Sequence, residues 1–205
     1  YDEKITKIAL PSSIHSIVDY AFRGLMSLKQ ISIPSSLTSI GNYVFCGCSS
    51  LTQIAIPFSV KSIGNHAFSE CLSLTQITIP LSVNSIGYNA FFDCSSLTQI
   101  SIPCSITEIK DCTFYGCSKL EKISIPSSVT SIGEDSFNGC SSLTQITIPS
   151  SVTEIGKGAF CKCLSLTQIS FEIPSSVKII DEYTFRRCSS LTQISIPSSV
   201  TEIRY

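Results

Sequence analysis

Apolar residues recur along this chain in one fixed order. Leu51, Ile54 and Ile56 stand three and then two apart, Pro57 follows, Val60 and Ile63 come next, and Ala67-Phe68 closes the unit. The Ile-x-Ile alternation over β-branched residues predicts a short strand, with its isoleucines inward and Gln53 and Ala55 outward. Pro57 ends that strand because it has no amide to donate. Gly64 predicts a turn after the second apolar pair, and Phe68 then falls on the far side of the coil.

The order is periodic. Prolines stand at 11, 34, 57, 80, 103, 126, 149, 174 and 197, so successive differences are 23 six times, then 25, then 23. The phrase SLTQI returns at 50–54, 73–77, 96–100, 142–146, 165–169 and 190–194. No linker or shift in composition interrupts the series. Such a period predicts a repeat solenoid in which each coil buries its apolar face against the next. Residues 1–205 are therefore expected to form a single mainly β array, with about eight repeats plus partial end coils. Nine short parallel strands would line one face, with turns, short strands or 3₁₀ segments on the other. Nine strands at about 4.8 Å make a rod roughly 40 Å long.

The unit resembles the BspA-type leucine-rich repeat, whose signature runs Leu-x-x-Ile-x-Ile-Pro-x-x-Val-x-x-Ile-Gly-x-x-Ala-Phe-x-x-Cys. The resemblance extends from Ile5 to Ile203. It implies a leucine-rich-repeat horseshoe or rod. It also implies a place among the large surface proteins of mucosal bacteria and parasitic protists that are implicated in adhesion to host matrix and to other cells.

Three columns are nearly invariant. Phenylalanine fills 22, 45, 68, 91, 114, 137, 160 and 185, which predicts a buried spine. Serine stands two after every proline, from Ser13 to Ser199, and is expected to satisfy buried turn amides. No histidine or lysine column accompanies those serines to serve as a base, so they are not nucleophiles. Cysteine fills 48, 71, 94, 117, 140, 163 and 188. Parallel side chains one coil apart lie near 4.8 Å, beyond the roughly 3.5–4.5 Å between β-carbons that a disulfide needs, so this column is expected to be reduced and buried. Cys46, Cys104, Cys112 and Cys161 do not repeat, and they are where oxidation would first be expected.

Composition narrows function mainly by exclusion. Charged residues make up 14% of the chain and the net charge is −1, which argues against nucleic acid or an anionic membrane as a partner because both need a basic footprint. No stretch approaches the roughly 20 apolar residues of a membrane span. The opening YDEKITK has acidic residues where a signal peptide would be basic. The two histidines, His15 and His66, occupy unlike columns. Cys-x-Cys at 46–48 and 161–163 has no companion pair for a metal. No phosphate loop, zinc motif or nucleophile elbow occurs, so neither cofactor nor catalytic set is expected.

Function in such an array belongs where an outward column departs from its consensus. The strand face carries a glutamine ladder that includes Gln53, Gln76 and Gln99, and one coil breaks it with Lys119, Glu121 and Lys122. The residue after proline is serine in six coils but Phe58, Leu81 and Cys104 in three adjacent ones. An exposed apolar stripe of this kind marks a contact site. The two-residue insertion Ser170-Phe171-Glu172-Ile173 is expected to be a bulge or lengthened strand, with Phe171 and Ile173 inward and Glu172 outward. Glu172 would join Arg186 and Arg187 in a charge cluster.

With these surface features, the resemblance implies a non-enzymatic binding or adhesion module at the cell surface, contacting host matrix or cell-surface protein, or glycan. The alternative is a cytoplasmic scaffold of the same fold with one protein partner, a reading favoured by free thiols and by the absence of Asn-x-Ser/Thr sequons. Open solenoid ends predict either a longer natural chain or self-association through the ends.

Overall fold

The computed structural model describes residues 4–204; Tyr1–Glu3 of the acidic opening, and Tyr205, lie outside the described residues. The chain winds through about nine coils with no helix among the described residues. Its strands are β1 (Lys7–Ala9), β2 (Gln30–Ser32), β3 (Ser39–Ile40), β4 (Gln53–Ala55), β5 (Ser62–Ile63) and β6 (Gln76–Thr78). The next are β7 (Ser85–Ile86), β8 (Gln99–Ser101), β9 (Glu108–Ile109), β10 (Lys122–Ser124) and β11 (Ser131–Ile132). The last are β12 (Gln145–Ile148), β13 (Glu154–Ile155), β14 (Gln168–Phe171), β15 (Ile179–Ile180) and β16 (Glu202–Ile203).

Two parallel ladders run along the rod. The first is made of β1-β2, β4-β6-β8-β10 and β12-β14, and the second of β3-β5-β7, β9-β11-β13 and β15-β16. Register is one repeat per coil, as in Gln53↔Gln76 and Ile54↔Ile77, and Ser62↔Ser85 and Ile63↔Ile86. This register superimposes like residues and creates the columns. Eight of the nine expected strands form on the first face; residues 191–196 join no ladder.

The phenylalanine spine is present. Phe45, Phe68, Phe91, Phe114, Phe137 and Phe160 are buried, and each ring stacks on the next, as with Phe68 and Phe91 at 5.6 Å and 3° between planes. Beside it, each column thiol donates to a phenylalanine carbonyl in the preceding coil, such as Cys94 Sγ to Phe68 O at 3.1 Å. All eleven cysteines are free. Burial holds the column thiols protonated, pushing Cys48 up to about 12.

The serine column holds a different bond from the expected one. Ser59 Oγ donates to the Leu37 carbonyl at 2.5 Å, Ser82 Oγ to Val60 O at 2.9 Å and Ser128 Oγ to Ile106 O at 2.6 Å. The hydroxyl thus satisfies an orphan acceptor of the coil before, not turn amides, and so ties neighbouring coils together.

Glycine also departs from expectation. Gly64 has no positive φ; its column is small because coils touch there. A β-carbon added at Gly64 would lie 2.6 Å from the Gly41 carbonyl carbon and oxygen. The turn is made instead by two left-handed columns flanking each phenylalanine. One runs Tyr20, Tyr43, His66, Asn89, Cys112, Asp135, Gly158 and Tyr183, and the other runs from Gly24 to Arg187, all at positive φ.

The glycine column also carries bonds of the second ladder. Gly64, Gly87, Gly133 and Gly156 each donate their amide to an isoleucine of the preceding coil, at 2.7–2.9 Å. Lys110 and Asp181 occupy the same column with full side chains, and neither makes that bond among the described residues. The ladder is interrupted at those coils, between β7 and β9 and between β13 and β15. Arg204 occupies this column too, yet its amide donates to Ile180 O at 2.9 Å and β15 pairs with β16, so a side chain here does not by itself break the ladder.

Candidate functional site

The four-stranded sheet β4-β6-β8-β10 gathers most of the predicted site residues. Its inward side chains, Ile54, Ile77, Ile100 and Ile123, are buried in the core. Alternation then directs Gln53, Gln76, Gln99 and Lys122 to solvent. Lys119 and Glu121, just before β10, are also exposed. The result is a row of neutral amides that ends in a short mixed-charge segment. Three residues beyond these strands, in-register stacking aligns Phe58, Leu81 and Cys104. Phe58 is 69% and Leu81 63% exposed, and Cys104 is exposed too. The Ser105 hydroxyl anchors this edge, donating to Leu81 O at 3.2 Å as well as to Val83 O.

Glu172 lies apart from that group. Its carboxylate accepts from the Ser150 amide at 3.1 Å, two coils beyond Cys104, and forms no ion pair with Arg186 or Arg187 among the described residues. The expected charge cluster is thus absent at this position. Ile173 corrects a second expectation, for it is 92% exposed, not inward. β14 lengthens as far as Phe171, which packs on the core, and ends there. Beyond the last ladder bond the alternation of faces no longer constrains a side chain.

Two sets of polar side chains escaped the sequence reading. A shallow concavity on the second ladder holds Glu108, Lys110, Glu134, Glu154, Lys157 and Asp181. Lys110 pairs with Glu108 at 3.3 Å and Lys157 with Glu182 at 2.7 Å. Glutamate replacing serine before the buried isoleucine, at Glu108 and Glu154, was the available signal. On the turn edge, Tyr20, Tyr43 and His66 stack at 4.8 and 4.4 Å between ring centroids. Burial holds His66 below the usual imidazole range, while Glu70 opposes and Arg23 adds to that effect. Nearby, Asp19 accepts from the Asn42 amide at 2.7 Å and from Asn42 Nδ2 at 2.9 Å, which lowers its carboxyl below the usual range. No cluster of three or more histidine, cysteine or acidic groups suited to a metal occurs among the described residues.

In-register parallel coils of about 23 residues, with short strands in two parallel ladders, a stacked phenylalanine spine and serine bonds from coil to coil at Ser36, Ser59, Ser82, Ser105, Ser128 and Ser151, define a leucine-rich-repeat solenoid. The chain belongs to the BspA type leucine rich repeat region family, whose profile matches residues 1–121 and 107–205 in six copies. A leucine-rich repeat protein from Bacteroides ovatus is 29% identical over 98% of this chain, with a TM-score of 0.66; the chain spans 63% of that protein's length. A leucine rich repeat protein of T. pallidum is 32% identical over 80% of this chain and 78% of its own, with a TM-score of 0.73. A leucine-rich repeat protein from Eubacterium ventriosum, at 24% identity over 97% of this chain and 57% of its own, shares the fold with a TM-score of 0.72. No curated protein matches the chain. No helix among the described residues is long and apolar enough to cross a membrane.

Proposed function

We propose that this array is a non-enzymatic binding module of a cell-surface protein, and that it engages host proteins or glycans through the sheet β4-β6-β8-β10 and the stripe beside it. The observation that carries this reading is the exposure of Phe58, Leu81 and Cys104 where other coils hold serine. The fold does not need those side chains, and contiguous exposed apolar area beside a hydrogen-bonding surface suits a contact site. Membership of the BspA-type family supports the surface location. The amide ladder offers both donors and acceptors without a charge to desolvate. The direct test is a binding screen of the purified array against matrix proteins, whole cells and glycans. Specific binding lost on blocking this sheet supports the reading, and binding unaffected by blocking it contradicts it.

A second reading, a cytoplasmic scaffold with one protein partner, draws on the eleven free cysteines. Titration of accessible and total thiols on protein taken from its native cell separates the two. An oxidised or blocked Cys104 in an exported fraction favours the surface module, and fully reduced thiols in a cytoplasmic fraction favour the scaffold.

A further inference from the structure

The left-handed turn column holds tyrosine in coils where glycine or asparagine would serve. Gly158 and Asn89 fill it elsewhere, and a left-handed φ favours such residues over a bulky ring. In two coils seven steps apart the tyrosine comes with an arginine three residues later, as Tyr20-Ala21-Phe22-Arg23 and Tyr183-Thr184-Phe185-Arg186. Neither the core nor the ladders use these side chains. The Arg23 guanidinium lies 5.7 Å from the ring centroids of both Tyr20 and Tyr43, and that of Arg186 lies 4.9 Å from Tyr183. Both arginines are exposed, as are Tyr20 (51%) and Tyr183. Neither is paired with a carboxylate among the described residues.

We propose that these two tyrosine–arginine sets are binding sites for carboxylate-bearing sugars, and that one acidic polysaccharide chain spans both. A guanidinium resting on an aromatic ring keeps its outer fork for a carboxylate, which it binds through two parallel hydrogen bonds. The adjoining ring edges and hydroxyls suit a sugar, which offers C–H and O–H groups around a single negative charge. Lys157 also lies over Tyr183 at 5.2 Å, but Glu182 holds it in an ion pair at 2.7 Å, so among the described residues the further free cations on this edge are the exposed Arg187 and Lys162. Between the two sets this edge is almost without positive charge. The Arg23 column continues through Cys46, Ser69, Phe92, Tyr115, Asn138 and Cys161. Charge concentrated at two points about 34 Å apart, from seven coils at about 4.8 Å, fits a polymer with spaced carboxylates better than a continuously acidic peptide. Engaging both points makes the second contact intramolecular and multiplies affinity.

The experiment compares the binding of the array to hyaluronan, whose carboxylates are uronates, and to polysialic acid, whose carboxylates are sialates, with dextran and poly-glutamate as controls. Arg23→Gln, Arg186→Gln and the double variant are measured with the wild type, and melting temperature is recorded for each to confirm folding. At least one acidic polysaccharide binds while dextran does not. Each single substitution weakens that binding tenfold or more, the double variant abolishes it, and Arg23→Lys does not restore it. Which polymer binds tells the uronate from the sialate source. Binding that survives the double substitution overturns the proposal. So does failure of both acidic polysaccharides to bind, and so does equal, arginine-dependent binding of poly-glutamate, which would identify an acidic peptide as ligand. This edge is separate from the strand face, so its failure leaves the reading of that face standing.

Discussion

Replacing Gly64 with alanine tests the packing rule that sets coil spacing. The added β-carbon would stand 2.6 Å from the Gly41 carbonyl carbon and oxygen and 2.7 Å from the Asn42 nitrogen. Comfortable carbon contacts begin near 3.5 Å, so relief takes a shift of about 1 Å between backbones that have no side chain to move aside. Overpacking of this kind costs about 1–3 kcal/mol. The shift also stretches the bond from the Gly64 amide to the Ile40 carbonyl, now 2.8 Å, worth about 1 kcal/mol. Lower entropy of the unfolded alanine chain returns about 0.4–1 kcal/mol. The net is a loss of about 2 kcal/mol, or about 4–8 °C in melting temperature for a chain of this size. Lys110→Ala is the control, because that position already carries a β-carbon and its amide makes no bond to the preceding coil among the described residues; it is expected to melt within about 3 °C of the wild type, the loss of one partly exposed ion pair and one cation–aromatic contact. Calorimetry with circular dichroism reads both. A Gly64→Ala variant that melts with the wild type, or a Lys110→Ala variant that falls further, refutes the rule.

Four other outcomes follow from the structure. Phe91→Ala removes a fully buried ring stacked on both neighbours and is expected to cost about 3–5 kcal/mol in denaturant unfolding; Ser128→Ala leaves the Ile106 carbonyl without its donor and is expected to cost about 1–3 kcal/mol in the same assay. Iodoacetamide at pH 8 is expected to label Cys104 first and the buried column only after unfolding, while labelling of Cys112, whose thiol burial and nearby acids push up to about 11, rises steeply only in strong alkali; mass spectrometry of the labelled peptides checks this. Because Asp19 has a lowered carboxyl in the fold, its contribution is present above the unfolded value near 4 and is lost as pH falls through the lower folded value. Asp19→Asn is therefore expected to melt lower than the wild type at pH 7 and to converge with it in acid.

Fold was legible in this sequence because the register is one repeat per coil, which turns every structural demand into a visible column. The isoleucines of the strands, the phenylalanine spine and the buried cysteines were all read from that. What was missed lies where a column is defined by backbone rather than side chain. The first left-handed column is filled by tyrosine, histidine, asparagine, cysteine, aspartate and glycine, so no single letter announced its positive φ. The conserved glycine, which does stand out, answers to contact between coils and not to turn conformation. Serine was expected to serve turn amides, but its partner is a carbonyl of the preceding coil, because the hydroxyl is free to donate. Ile173 was misplaced because alternation was extended past the last bonded residue of β14. The stripe of Phe58, Leu81 and Cys104 was readable as a departure from serine, whereas the charged concavity of the second ladder emerged only once stacking brought residues of several coils together.

The central claim is that the face beside the glutamine ladder carries the binding surface, and the double variant Phe58→Ser, Leu81→Ser tests it most directly. These changes restore the residue that six other coils carry at this position. Both side chains are largely exposed, so folding is expected to change by no more than about 0.5 kcal/mol per site. If they anchor a partner, each contributes about 1 kcal/mol or more to binding, and affinity for a partner found by screening falls roughly thirtyfold while the melting temperature holds. Unchanged affinity in a normally folded double variant would contradict the claim.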